Sequence, residues 1–186
     1  LEISINFAIQ DFYGNSKPLG TSDAIFQTMN QYDELIKTRF LVCNCDNLYS
    51  VNAIKTLLGE SKYNSMIAYD FEYLEFSNER LSSFSLLNIE NNFLSEIIEK
   101  PDIEFIRNHS KKKYVSMNIF SFKGSEIYKY LRDCPINTKR GEKEIVTAIQ
   151  NMILENKKSV IAFPLCEHVP DLTYKDDLEK ISKFLD

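Results

Sequence analysis

The stretch RFLVCNCDN, residues 39–47, decides the predicted fold class. It contains Phe40–Cys43, a short continuous apolar run of the kind expected for a strand buried on both faces of a sheet. The run ends in polar residues, among them Asp46 and Asn47. In open α/β sheets ligands bind beyond the carboxyl ends of the strands, so we expect Asp46 to lie where a metal ion or a phosphate binds. The alternative is a turn whose Asn and Asp side chains make only local hydrogen bonds.

Strand and helix patterns alternate on both sides of this stretch. The predicted strands are Glu2–Ile9, Phe40–Cys43, Met66–Phe71, Phe84–Ile89, Phe93–Ile98, Val115–Phe122 and Val160–Leu165. The predicted helices are Ser22–Ile36, Ser50–Leu58 with Ser50 as its cap and Gly59 as its stop, Ser125–Leu131, Gly141–Leu154 and a closing helix from Thr173 through Leu185. The polar residues 90–92 between two apolar runs indicate a hairpin. This order predicts an α/β fold with a mostly parallel mixed sheet, in one domain spanning residues 1–186.

Composition excludes several classes of partner. The chain has 186 residues, 44% of them hydrophobic, with a net charge of −5 and a pI near 5.2. An acidic surface does not favour nucleic-acid binding, which needs a basic patch to displace counterions. Because no apolar run reaches the length of a membrane span and no signal peptide opens the chain, we expect a cytoplasmic protein with no membrane partner.

The four cysteines predict neither a zinc site nor a disulfide framework, because they lack C-x-x-C spacing. Cys43 and Cys45 lie in an apolar stretch, where cysteine is expected to behave as a small hydrophobic residue.

Two further segments carry groups that could bind a ligand. In Pro18–Ala24 a glycine turn opens a helix, whose free backbone N–H groups could accept an anion or a hydrogen-bonding ligand. The alternative is an ordinary Ser/Thr cap. Glu99 and Lys100, followed by Pro101, could grip a sugar hydroxyl and a phosphate, or could be an exposed ion pair.

In this order and with this spacing, the segments resemble the sugar-phosphate nucleotidyltransferase family over nearly the whole chain. Gln10 matches the glutamine that ends an early strand there, and Gly20–Ala24 resembles the second glycine motif. Asp46 matches the metal-binding aspartate of a strand-end G-D-N-like motif, with Cys45 where glycine is usual. The remaining matches are Glu99–Pro101 for E-K-P, Arg140–Ile145 for R-G-E-x-E-I and Val169–Thr173 for a variant of W-x-D-x-G-T.

The resemblance implies a Rossmann-like three-layer α/β/α fold and attack of a sugar 1-phosphate on a nucleoside triphosphate, with Mg²⁺ as the cofactor. It assigns catalytic roles to Asp46 and Lys100, and metal binding to Asp46 and Asp171. The implied substrate contacts are Gln10, Gly20, Thr21, Glu99, Lys100, Asn118 and Arg140. A homo-oligomer is also compatible with the family.

Two departures from the family pattern bear on these roles. The G-x-G-T-R phosphate loop is absent among the five glycines, so we expect this chain to be a fragment that lacks the first βα units. Thr147 stands where several members have a second metal-binding aspartate, and a hydroxyl is a poor Mg²⁺ ligand. Asp171 is the natural replacement; alternatively, it anchors the last turn before the closing helix.

Two competing interpretations remain open. The chain could be a non-catalytic nucleotidyltransferase-like domain that binds a sugar nucleotide or a protein. It could also be a glycosyltransferase of related architecture, although Cys45–Asn47 supplies only one carboxylate where a D-x-D-like metal motif is usual.

Overall fold

The structure is a computed structural model that describes residues 4–110, 112–173, 177, 178 and 182. Its chain forms two compact units. Unit 1 comprises Leu1–Phe40 and Lys123–Glu155, and unit 2 comprises Leu41–Phe122 and Asn156–Asp186. The chain therefore leaves unit 1 for unit 2 after Phe40, returns after Phe122 and leaves again after Glu155.

The described helices are α1 Thr21–Gln31, α2 Glu34–Lys37, α3 Val51–Leu58, α4 Asn78–Leu81, α5 Ile103–Asn108, α6 Gly124–Arg132 and α7 Ile145–Glu155, with a 3₁₀ turn at Phe71–Tyr73. The described strands are β1 Arg39–Val42, β2 Asn64–Asp70, β3 Ser85–Glu90, β4 Phe93–Ile98, β5 Tyr114–Ser116, β6 Phe120–Lys123 and β7 Val160–Leu165. Most of the predicted closing helix lies outside the described residues. No described helix has both the length and the apolar character needed to cross a membrane.

The strands form one mixed sheet in the order β1-β6-β2-β5-β3-β4-β7, and β2 also pairs with β7. The prediction of a mixed α/β sheet is confirmed, but "mostly parallel" is wrong for the described pairings. Only β2 with β7 is a parallel pair among those whose register is described, while β2–β5, β2–β6, β3–β4, β3–β5 and β4–β7 are antiparallel. For β3 and β4 the reason is connection length, because the two-residue turn between them can join only antiparallel strands.

The core of unit 2 is built on β2, which is buried along all seven of its residues. Ile67 and Tyr69 of this strand pack in a cluster with Val115 of β5 and Leu57 of α3. Helix α3 starts as predicted, because the Ser50 hydroxyl accepts a hydrogen bond from the Ala53 N–H at 3.0 Å.

The predicted hairpin is present as β3 and β4. Its two turn residues, Asn91 and Asn92, have φ values of 51° and 67°. Positive φ at both positions is the geometry of a type I′ turn, whose twist matches that of the flanking strands.

The predicted strand Val115–Phe122 is broken into β5 and β6. Both pieces pair with β2, but Met117–Ile119 lie between them and Asn118 has a φ of 55°. This interruption takes Asn118 out of the ladder and into a turn.

Unit 1 packs α1, α6 and α7 around buried apolar side chains, among them Met29, Ile127 and Ile149. Gly124 starts α6 against the backbone of α2, and an added Cβ there would lie 1.8 Å from the Leu35 carbonyl oxygen. The predicted helix Ser22–Ile36 is interrupted after Gln31, which separates α1 from α2.

The predicted strand Glu2–Ile9 is not a strand over its described residues. The chain from Phe7 to Asp11 is instead held by side chains of unit 1. The Gln31 amide group bonds both the N–H and the C=O of Ile9, and Gln27 does the same for Asp11, at 2.6–3.0 Å. The backbone of Ile9 and Asp11 is thus bonded to side-chain amides and not to the backbone of a neighbouring strand.

All four cysteines are free. Cys43 and Cys45 are exposed, so their interpretation as small hydrophobic residues was wrong; both follow the end of β1, beyond the buried part of the strand.

Candidate functional site

The Asp46 turn, residues 44–47, follows β1 in unit 2. Asp46 is exposed, and its carboxylate makes no hydrogen bond or ion pair with another residue that the structure describes. The side chain is therefore available to a ligand.

Tyr49 fixes the conformation of this turn, and it was not predicted as a site residue. Its hydroxyl lies 2.6 Å from the carbonyl oxygen of Met117 and 3.1 Å from Oδ1 of Asn47, and it accepts the Asn44 N–H at 3.2 Å. Burial is the main cause that raises the pKa of this phenol far above its ordinary value. Tyr49 thus stays neutral and joins the Asp46 turn to the turn that contains Asn118.

A second strand-like contact ties the Asp46 turn to the segment that contains Asp171. Asn47 and Asp171 form an isolated antiparallel bridge. The Leu172 N–H donates to the Asp46 carbonyl oxygen at 2.8 Å, and the Leu48 N–H donates to Pro170 at 2.9 Å. Unit 2 therefore brings together three predicted site residues, Asp46, Asn118 and Asp171.

Asp171 differs from Asp46 because its carboxylate is already neutralised. It is 8% exposed and lies 3.0 Å from Nη2 of Arg80, while the Thr173 hydroxyl lies 3.0 and 3.1 Å from its two oxygens. Arg80 also pairs with the buried Asp177 at 3.1 Å. Burial alone would lower the pKa of Arg80, but its hydrogen bonds to Asp177 and Asp171 outweigh burial and raise it.

Arg80 and Asp171 lie on the wall of a cleft of about 460 Å³ in unit 2. Phe76 and Phe84 form its apolar side, and the Arg80 guanidinium lies 4.8 Å from the centre of the Phe76 ring. The arginine is thus held by two carboxylates and one aromatic face.

The register of the sheet places the Glu99–Lys100 pair and Asn118 directly after the ends of β4 and β5, on either side of the start of β3. Ser85 of β3 is opposite Ser116 at the end of β5, and Leu86 is opposite Ile98 at the end of β4. From β5 the chain continues through Asn118 into β6, which pairs with β2 again. Glu99 and Lys100 are exposed, and Lys100 has a φ of 46°.

The other predicted contacts lie in unit 1, and each of them is bonded to a neighbouring residue of that unit. The Gln10 side-chain amide donates to Asp23 at 3.0 Å and to the Gly20 carbonyl oxygen at 3.3 Å. Gly20 has a φ of 96°, and an added Cβ would lie 2.8 Å from the Lys143 carbonyl oxygen. The Thr21 hydroxyl accepts the N–H of Ile145 at 3.1 Å. Gln10 is thus bonded to Gly20, whereas Thr21 is bonded to Ile145, and their roles as substrate contacts stay predictions.

Arg140, also in unit 1, forms an ion pair with the buried Glu144. The Lys17 ammonium group donates to the backbone carbonyl oxygen of Arg140 at 2.8 Å. Thr147 is half-buried in the first turn of α7, where its N–H donates to Glu144.

A further strand-end carboxylate in unit 2, Asp70, was missed by the sequence reasoning. It is 3% exposed, lies 2.9 Å from Nζ of Lys112 and accepts the Glu72 N–H at 3.1 Å. Burial acts to raise its pKa, but the hydrogen bonds from Lys112 and Glu72 prevail and lower it. Because Asp70 is opposite Tyr114, the first residue of β5, it lies at the other end of β5 from Asn118.

Among the described residues no cluster of three or more His, Cys, Asp or Glu side chains could hold a metal ion. This does not exclude Mg²⁺ chemistry, because Mg²⁺ is commonly bound by one or two carboxylates together with substrate phosphates. Asp46 fits such a role, with an exposed carboxylate on a fixed turn. Asp171 fits it less well, because Arg80 already supplies its positive partner.

Comparison with known proteins gives the same family as the motifs. No family model matches the chain. A glucose-1-phosphate adenylyltransferase from Clostridium botulinum (strain Alaska E43 / Type E3) is 25% identical over 163 residues, which are 87% of this chain and 40% of that protein.

Two solved structures share the fold. A protein assigned as a glucose-1-phosphate thymidylyltransferase from Bacillus anthracis, in complex with sucrose, matches with a TM-score of 0.64 and 17% identity, over 91% of this chain and 62% of that one. A UDP-glucose pyrophosphorylase complexed with UDP-glucose matches with a TM-score of 0.66 and 16% identity, over 91% and 63%.

These matches confirm the predicted resemblance to the sugar-phosphate nucleotidyltransferases and their α/β fold. The chain spans two fifths of the curated relative and less than two thirds of each solved chain.

Proposed function

We propose that this chain carries part of the active site for nucleotidyl transfer from a nucleoside triphosphate to a sugar 1-phosphate, which yields a nucleotide sugar and pyrophosphate. The observation that carries the proposal is the exposed carboxylate of Asp46 on a turn fixed by Tyr49, next to the Asn118 turn. This is the strand-end position at which α/β sheets bind ligands.

In this proposal the residues of unit 2 bind the metal and the sugar phosphate. Asp46 is the ligand for Mg²⁺, which when bound would neutralise charge on the reacting phosphates. Lys100 neutralises the sugar phosphate as a point charge. Glu99 and Asn118, which follow the ends of β4 and β5 on either side of the start of β3, hydrogen-bond sugar hydroxyls.

Unit 1 supplies the contacts to the nucleotide. Gln10 and the backbone at Gly20 and Thr21 bind the nucleobase. The hydrogen bond of Gln10 to Gly20 and that of Ile145 to Thr21 support a fixed arrangement. Arg140 is assigned to a phosphate, for which it would have to exchange its pairing with Glu144.

The reaction needs no general base from the protein. The second pKa of a phosphate monoester is about 6, so the attacking phosphate oxygen is already an anion near neutral pH. The chain then has to align the two phosphates and stabilise the charge on them, which is the larger part of catalysis in phosphoryl transfer. The triphosphate would also need a phosphate-binding loop, and the sequence of residues 1–186 contains no G-x-G-T-R pattern. Cytoplasmic location and homo-oligomerisation remain predictions.

Pyrophosphate release tests this proposal. The protein expressed from its complete reading frame is mixed with Mg²⁺, each nucleoside triphosphate and a panel of sugar 1-phosphates. We expect release that requires both substrates and falls by about a hundredfold in Asp46→Asn, because losing metal-mediated charge stabilisation costs several kcal/mol.

A second candidate function is a non-catalytic domain that binds a sugar nucleotide. It is favoured by the ion pair of Asp171 with Arg80 and by Thr147, which leave Asp46 as the one carboxylate of the predicted pair without a partner in the described structure. Tight binding of a sugar nucleotide without pyrophosphate release from any pair of substrates would establish this second function.

A further inference from the structure

Asp171 was predicted as a second metal ligand, but its surroundings are those of a structural ion pair. The side chains of Arg80, Asp171 and Asp177 are 16%, 7% and 6% exposed. Nη2 of Arg80 also donates to the backbone carbonyl oxygen of Asp171 at 3.0 Å. A carboxylate that is desolvated and held in this way must lose its arginine before it can bind a metal ion.

The same residues connect to the candidate site through the backbone. Asp171 bridges to Asn47, and the next residue, Leu172, donates to the carbonyl oxygen of Asp46. Arg80 therefore acts on the Asp46 turn through the segment that contains Asp171.

We propose that Arg80 is a positioning residue that holds the Asp46 turn through Asp171, and that Asp171 is an anchor rather than a second metal ligand. Arg80 supplies inside the protein the positive charge that a second metal contact would otherwise bring to Asp171. The inference rests on the proposed function only where it takes Asp46 as the metal ligand.

The ion pair is tested without any metal by a double-mutant cycle. Arg80→Gln, Asp171→Asn and the double variant are unfolded in urea beside the wild-type protein. We expect a coupling of at least about tenfold in the unfolding equilibrium constant, because removing one partner leaves the other buried and unpaired. Additive effects of the two changes would overturn the anchoring role. Arg80→Lys, which keeps the charge, should recover part of the lost stability.

The metal assignment is tested by binding of Mn²⁺ alone, followed by electron paramagnetic resonance under conditions where every variant is folded. We expect Asp46→Asn to weaken binding by at least about tenfold, a change of 1.4 kcal/mol. Arg80→Gln and Asp171→Asn should each weaken binding by a smaller and similar factor, because either change breaks the ion pair that holds the Asp46 turn. The double variant should bind no more weakly than either single variant, because the same ion pair is lost in all three.

Two results would overturn the proposal. Weaker binding in Asp171→Asn but not in Arg80→Gln would make Asp171 a metal ligand, and unchanged binding in both variants would show that the ion pair does not position the Asp46 turn. If pyrophosphate release fails while the coupling and the Mn²⁺ pattern are found, the nucleotidyl transfer proposal is wrong and this inference stands.

Discussion

The Gly20 turn of unit 1, residues 18–24, and the Asp46 turn of unit 2 were both predicted from the sequence to bind ligands, but their side chains make different contacts in the fold. At the Gly20 turn the predicted residues are occupied by contacts with their neighbours: Gln10 bonds Gly20 and Asp23, and Thr21 bonds Ile145. At the Asp46 turn the predicted residue keeps an exposed side chain, and the turn is fixed by Tyr49, which was not predicted as a site residue.

The difference teaches how to separate a ligand residue from a structural one in this chain. Asp46 and Asp171 lie on paired segments, yet Tyr49 fixes the turn of the first through backbone groups while Arg80 neutralises the second directly. Substitutions should therefore lower the free energy of unfolding more when the side chain is buried and bonded within the fold than when it is exposed.

Removing Arg80 should have the largest effect on stability. Arg80→Gln leaves Asp171 and Asp177 buried without their cation, which we expect to cost about 3–5 kcal/mol in the free energy of unfolding. Urea denaturation measures it. The control is Lys37→Gln, which removes an exposed ion pair with Asp33 and should cost less than about 1 kcal/mol. Equal losses in the two variants would contradict the account.

Gly20→Ala should come next. The backbone at Gly20, with a φ of 96° and a ψ of −176°, is in a region that essentially only glycine adopts, and the new Cβ would approach Lys143. We expect a loss of about 3 kcal/mol. Gly141→Ala is the matched control, because its φ is 69° but no atom lies within 4 Å of the added Cβ; about 1 kcal/mol is expected there.

Tyr49→Phe should have an intermediate effect. It leaves the Met117 carbonyl oxygen and the Asn44 N–H without their partner, which we expect to cost about 1–2 kcal/mol. Tyr128→Phe removes an exposed hydroxyl bonded to Asn30 and should be nearly silent. If both variants unfold at the same urea concentration as the wild type, Tyr49 does not fix the Asp46 turn.

Asp46→Asn should have the smallest effect on stability. Its side chain has no described partner to lose, so we expect a change within about 0.5 kcal/mol. A loss comparable with that of Arg80→Gln would show that Asp46 is a structural residue and would remove the contrast between the two turns.

Structural features that depend only on residues close together in the chain could be predicted from the sequence. Residues 90–92 gave the hairpin turn because two adjacent asparagines tolerate positive φ. Ser50 gave the start of α3, and the apolar run Val160–Leu165 is strand β7 from end to end.

Features that depend on distant partners were not predictable from a single sequence. Arg80 and Asp171 are 91 residues apart in the chain, and Tyr49 and Met117 are 68 apart, so no local sequence pattern predicts either contact. The sheet was predicted as mostly parallel because strand–helix alternation was taken to imply crossovers, whereas β5 and β6 return beside β2 as antiparallel partners. The site residues were therefore located by motif, while the roles of Arg80 and Tyr49 required the contacts.

The most direct test of the account is the position of Mn²⁺ in crystals of the protein grown with a sugar nucleotide, located by anomalous scattering. We predict a peak within coordination distance of the Asp46 carboxylate, with Arg80 still paired to Asp171. A peak bridged by Asp46 and Asp171 with Arg80 displaced, or no peak at Asp46, would contradict it.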